Sequence, residues 1–158
     1  MRPRSRWKKI LLYGAGALVL GFALIQAIPY GRSHSNPPVS AQPAWSSPQT
    51  RALAARACFD CHSNLTTWPW YSNVAPESWL IQGDVDGGRS TLNFSEWDKP
   101  QDTSAGDIAD AVNGGGMPPW YYTLLHSKSK LSKAQKQQLV DGLMRTFQAS
   151  PPIGGGGG

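Results

Sequence analysis

Residues 10–28, ILLYGAGALVLGFALIQAI, hold nineteen positions without a charge and with one polar amide, Gln26. Coiled as an α-helix at ~1.5 Å per residue, the run spans roughly 28 Å, the thickness of a bilayer's hydrocarbon core. A cleaved signal peptide is the rival reading. The run exceeds the ~7–15 apolar residues of such leaders, and its nearest imitation of an A-x-A site, VSA at 39–41, lies too far downstream. Residues 10–28 are therefore expected to be a retained transmembrane anchor. Arg2, Arg4, Arg6, Lys8 and Lys9 precede it, which predicts a cytoplasmic segment 1–9 and places everything after Ile28 outside, in a bacterial chain on the periplasmic side of the inner membrane.

At 158 residues the chain has about one domain's worth of sequence plus extras. Its net charge of +5 invites a nucleic-acid partner, but the five basic residues before the anchor account for it. Between residues 58 and 126, two basic side chains, Arg89 and Lys99, face nine acidic ones. Such a balance excludes a phosphate-binding surface. Lys128, Lys130, Lys133 and Lys136 form a separate patch, read as solvated.

Residues 29–47 are rich in Pro, Ser and Gly and show no apolar period, so they read as a linker, with His34 a solvated member of it. A chain of nineteen residues reaches from about 25 Å as a coil to roughly 60 Å as a Pro-stiffened rod. Residues 151–158, ending in five glycines, read as a tail. The ordered domain is then 48–150. Ser47 before Pro48 starts a first helix with Leu53, Ala54 and Ala57 on one face. Short helices follow from Pro76 and from Thr103, the latter stopped by Gly114, Gly115 and Gly116. Ser132 caps a final helix whose apolar stripe is Leu139, Val140, Leu143, Met144 and Phe147. No alternating strand is found, and the fold class is all-α with long loops.

Both cysteines of the chain lie in CFDCH, residues 58–62. A Cys58–Cys61 disulfide closes too short a loop to add much stability. A redox dithiol of the thioredoxin type wants a βαβ context that is missing. Zinc needs four ligands, and no second ligand pair stands at finger spacing. What remains is C-x-x-C-H as a c-type haem attachment site. Two thiols one helical turn apart add to the two vinyl groups of one haem, and the adjacent imidazole of His62 points at the iron as proximal ligand.

A second axial ligand has few sources. Met1 is placed in the cytoplasm, Met144 on the apolar stripe and His34 in the linker. Met117, in NGGGMPPWYYTLLH, is preferred: three glycines let backbone approach a flat cofactor, and Pro118 and Pro119 stiffen the loop that presents the thioether. His126, or an open position, is the alternative.

Helix, C-x-x-C-H, central loops, Met-Pro and final helix is the chain order of class I cytochromes c. More narrowly, CFDCHSNLTTWPWYSNVAPESWLIQGDVDGGRSTLNFSEW and MPPWYYTLLHSKSKLS resemble the haem-binding domain family of bacterial membrane-tethered monohaem proteins. The resemblance covers about residues 50–148, leaving anchor and linker outside. It implies one covalent haem c, with Cys58 and Cys61 as thioether anchors, His62 proximal and Met117 distal.

One-electron transfer by a membrane-tethered carrier follows, as a shuttle or as a subunit of a respiratory or photosynthetic complex, rather than an enzyme with a small-molecule substrate. Its acidic stretch predicts a redox partner with a basic docking face. A gas sensor or peroxidase-like enzyme with a labile distal ligand, and a structural haem subunit, are the alternatives. Other motifs fail. Asp84 and Asp86 open like a calcium loop, but Arg89 stands where the turn needs glycine. NGGGMP lacks the Lys-Ser/Thr of a phosphate loop. Asn64–Thr66 is a formal glycosylation sequon. Trp68, Trp70, Tyr71, Trp79, Trp97, Trp120 and Tyr121 are expected to pack the core and the haem pocket.

Overall fold

A computed structural model describes residues 4–153, and among them every regular element is helical. The elements are α1 (Arg4–Ile25), α2 (Pro48–Ala57), α3 (Phe59–His62), α4 (Glu77–Thr91), α5 (Ala105–Asn113), α6 (Trp120–Leu125) and α7 (Lys133–Ala149), with short 3₁₀ turns at Trp70–Asn73 and Ser127–Ser129. The expected all-α class holds. The chain divides into two compact units, residues up to His34 with Pro69–Gly83, and Ser35–Trp68 with Asp84 onward. The start of the expected segment 1–9 and the glycine run 154–158 lie outside the described residues.

In the first unit, α1 is long and apolar enough, over Arg6–Ile25, to cross a membrane. Leu11, Leu18, Val19 and Leu20 are all exposed along it, and exposed apolar surface of that extent calls for a cover other than water. The one polar residue of the apolar run marks its end: the Gln26 side chain donates through Nε2 to the Ala75 carbonyl (2.9 Å) and accepts through Oε1 from the Ala75 amide (3.0 Å). Arg32 donates to the same Oε1 (3.0 Å). His34, expected to be solvated, instead places its Nε2 3.1 Å from the Ser72 carbonyl and 2.9 Å from the Ser72 hydroxyl.

In the second unit, Ser47 caps α2 as expected, accepting from the Thr50 amide, with Pro48 in the first turn. Ser104 with Asp107, and Ser132 with Gln135, form reciprocal capping boxes at α5 and α7, and Gly114 caps the end of α5. The core gathers Leu53 of α2, Phe59 of α3, and Leu139, Leu143 and Phe147 of α7. Phe94 lies between the rings of Phe59 (5.7 Å) and Trp97 (5.9 Å), and Trp97 meets Phe147 edge-on at 5.0 Å.

Three expectations are corrected. The free linker reading of 29–47 fails from Ser35 onward: Trp45 packs on Phe94 at 5.1 Å, Ala41 forms an isolated parallel bridge with Glu96, and Arg89 donates to the Ser35 carbonyl (2.9 Å) and to the Asn36 side chain (3.0 Å). Irregular backbone leaves no periodicity to read, yet its polar groups still find partners. Met144 is 45% exposed and leaves the α7 core face to Leu139, Leu143, Thr146 and Phe147. Finally, the helix from Pro76 is not short: α4 continues through Asp84, Asp86, Gly87 and Gly88 to Thr91, and the stretch already rejected as a calcium loop is helical.

α2 and α7 cross at Gly142, where an added Cβ would overlap the Thr50 side chain. Gly142→Val should therefore destabilise the domain by about 1–3 kcal/mol, lowering the melting temperature of the full chain in detergent by on the order of 10 °C; an unchanged melting curve would contradict the tight crossing.

Candidate functional site

The turn carrying CFDCH is built by hydrogen bonds that continue α2 past its end. The Cys58 amide donates to Ala54 O (2.8 Å), and the amides of Cys61 (3.1 Å) and His62 (2.8 Å) both donate to Cys58 O. Cys58, Cys61 and His62 thus share one compact turn, and the His62 carbonyl accepts from the Phe94 amide (2.9 Å).

The His62 ring is oriented from α4. Its Nδ1 lies 3.0 Å from Gly88 O and 3.2 Å from Leu92 O. Carbonyls only accept, so Nδ1 carries the proton and Nε2 keeps its lone pair. Burial lowers the imidazole pKa, opposed by those two carbonyls, and the ring is neutral, the form that binds a metal. Gly88 makes the approach possible: a Cβ there would fall on the Cys61 carbonyl.

Cys58 and Cys61 are free thiols. Burial pushes the Cys58 pKa up to about 12, with the neighbouring Cys61 adding to it. Cys61 is also pushed up to about 12, by burial first, then by Asp84 and Asp60, with Arg89 opposing. A redox-active dithiol needs the opposite shift, and the pair lacks that character.

Cys58, His62 and Met117 line one open cleft of about 120 Å³. Its walls are mainly apolar, from Leu92 and Phe94 after α4, Ile108 and Val112 of α5, and Leu143 of α7. Met117 stands 39% exposed at the end of the glycine loop, its amide bonded to Ala111 O (3.0 Å). Cys61 is not part of this lining, lying one turn further on. His126 is not part of it either; its ring stacks on Tyr122 at 4.1 Å and its Nδ1 lies 3.1 Å from the Tyr122 carbonyl. Among the described residues, no group of three or more His, Cys, Asp or Glu gathers as a metal site. A neutral imidazole with a free Nε2, a thioether and the Cys58 thiol lining an apolar cleft, with the Cys61 thiol one turn on, suit a metal held in an organic ring, and haem fits this donor set.

A family model described as a haem-binding domain matches residues 20–145. The chain belongs to the haem-binding domain family. This match starts well before the residue 50 expected from motif resemblance and takes in the segment 35–47, which packs within the second unit. Among curated proteins and among solved structures, no match is found. Haem as the cofactor of this domain is thereby supported by family and by cleft alike.

Sequence reasoning misplaced two of the seven aromatics it assigned to core and pocket, Trp70 and Trp120. Trp97 is in the core, but Trp70 is 78% and Trp120 72% exposed, and no tryptophan or tyrosine lines the cleft. Phe94, which does, was overlooked, as was Gly88; two adjacent glycines inside a helical stretch were the available signal for a close approach. The sequon is closed to modification, since Asn64 is buried and donates to Pro38 O (3.0 Å) while accepting from Asn93 (2.9 Å).

The two glycines separate by their surroundings. Gly88→Ala should cost about 2 kcal/mol and abolish haem retention by driving α4 off α3. Gly87→Ala, whose new methyl meets nothing within 4 Å, should be neutral or stabilise by up to about 1 kcal/mol. Haem content and unfolding of the two full-length variants check this, and equal behaviour would refute the close approach.

Proposed function

We propose that this haem-binding chain is a monohaem c-type cytochrome, tethered by α1 to a bacterial inner membrane with its N-terminus in the cytoplasm and the haem domain in the periplasm, that carries single electrons. Cys58 and Cys61 would hold the haem by thioether bonds, His62 would ligate the iron through Nε2, and Met117 would supply the sulfur ligand. Haem iron contributes a centre that alternates between ferrous and ferric. The observation that carries the reading is that an oriented neutral imidazole and a methionine thioether line the same apolar cleft.

Each residue has a physical task on this reading. The Gly88 and Leu92 carbonyls keep the Nδ1 proton in place, which fixes the ring and raises its donor strength. Leu92, Phe94, Ile108, Val112 and Leu143 exclude water. A thioether favours the reduced ion over the oxidised one and raises the potential. The excess of acidic residues between 58 and 126 supplies a negative surface for a redox partner with a basic face. The exposed apolar length of α1 and the basic residues in its first turns support the anchor and its orientation.

Covalent attachment is checked by denaturing the purified full chain in acidified organic solvent: haem should stay with the polypeptide, and it should be released from a Cys58→Ala/Cys61→Ala double variant. Ligation is checked by carbon monoxide titration of the reduced protein. The saturated iron should not bind it at neutral pH, and prompt binding would replace the electron carrier by a gas-binding or peroxidase-like site. Met117→Ala should remove the sulfur-to-iron charge-transfer band, and its survival would dismiss Met117 as ligand.

A further inference from the structure

The loop that presents Met117 leads directly into α6, and α6 is unusual in this domain. It contributes no buried residue: Trp120, Leu124 and Leu125 are all exposed. Apolar burial therefore does not fix its position. Two phenol groups do the holding instead. Tyr121 Oη donates to both carboxylate oxygens of Asp84 on α4, at 3.1 Å each. Tyr122 Oη donates to Oδ2 of Asp60 in a short contact. Asp60 is itself held, its Oδ1 accepting from the Thr67 amide (2.9 Å). Since Asp60 is the third residue of CFDCH and α4 carries the carbonyl that orients His62, both tyrosines attach the far side of the cleft to the structure that positions the near side.

We propose that the Tyr122–Asp60 and Tyr121–Asp84 pairs are the positioning contacts that hold the Met117 loop over the cleft, linking the distal ligand to the turn that carries the proximal one. The proposal rests on the reading of Met117 as the iron's sulfur ligand only for its spectroscopic consequence; the placement of the loop stands on the hydrogen bonds. On the other side of the loop, the amides of Gly114, Gly115 and Met117 donate to the last carbonyls of α5, those of Asp110, Val112 and Ala111, which anchors the loop's start, while three consecutive glycines leave the backbone little stiffness of its own. Charge-assisted phenol–carboxylate bonds are among the stronger neutral-to-ionic contacts. With both removed, α6 loses its side-chain bonds to α4 and to the CFDCH turn and resists local opening less.

The test uses the full haem-loaded chain in detergent and compares wild type with Tyr121→Phe, Tyr122→Phe and the double variant, which lose only hydroxyl groups. Hydrogen exchange read by mass spectrometry on the segment 112–122 reports loop placement whatever ligates the iron. The double variant should exchange there at least about tenfold faster, while the segment 133–149 of α7 stays as in wild type and haem content is unchanged. In the same sample the sulfur-to-iron band should weaken and the double variant should take up carbon monoxide at neutral pH, where wild type takes up none, changes that mere loss of stability would not produce with α7 intact. Asp60→Asn, which keeps an acceptor oxygen, should lie between wild type and Asp60→Ala. Unchanged exchange at 112–122 in the double variant overturns the proposal, as does faster exchange spread equally over α7. A wild-type protein that lacks the band and binds carbon monoxide promptly, yet shows the accelerated loop exchange in the double variant, overturns Met117 as ligand and supports the positioning role.

Discussion

The Nδ1 proton of His62 is shared between two carbonyls of one segment, and much of the second unit is arranged so that this can happen. A ring nitrogen reaches Gly88 O and Leu92 O together only if α4 lies against the turn that carries the ring. That distance requires glycine at position 88. It also requires the turn itself to be rigid, which the bonds to Ala54 O and Cys58 O provide by extending α2 into it. α2 in turn is fixed by its crossing with α7 at Gly142. One imidazole is thus oriented through helix contacts that reach from residue 50 to residue 142.

The two variable positions of the C-x-x-C-H motif divide the labour. Phe59 turns into the core, where it meets Trp45 and Phe94. Asp60 turns outward and gathers the Thr67 amide, while its own carbonyl accepts from the Thr66 hydroxyl (2.8 Å). Arg89, next to Gly88, completes the frame by donating to the Ser63 carbonyl (2.9 Å) and the Thr66 hydroxyl (2.9 Å). A motif usually described by its cysteines and histidine is here held in place by the residues between them.

Much of this was legible in the residues themselves. Caps at Ser47 and Ser132 act within a single turn, so a local pattern sufficed to find them. The helix ending at the three glycines was equally local. The packing of residues 35–47 was not, because it depends on partners such as Glu96 and Arg89, fifty or so positions away and at no fixed spacing. Met144 looked like core because the stripe has a helical period, but one face of a helix is only so wide and Met144 falls off its edge. The tryptophans misled for a related reason: an aromatic's apolar area makes burial favourable without saying which surface does the burying. Gly88 was hidden inside a stretch that mimicked a calcium loop, where glycine was sought for a turn rather than for a helix contact.

The crossing of α2 with α7 also sets a clock. Eighty positions separate His62 from Gly142, and at ~5–20 residues per second those residues take roughly 4–16 s to synthesise. Until α7 exists, α2 has nothing to cross, and the turn with its two thiols has no finished cleft to close around it. On the proposed covalent attachment, the chain's own topology grants the haem an interval of seconds in which to arrive before the door is built.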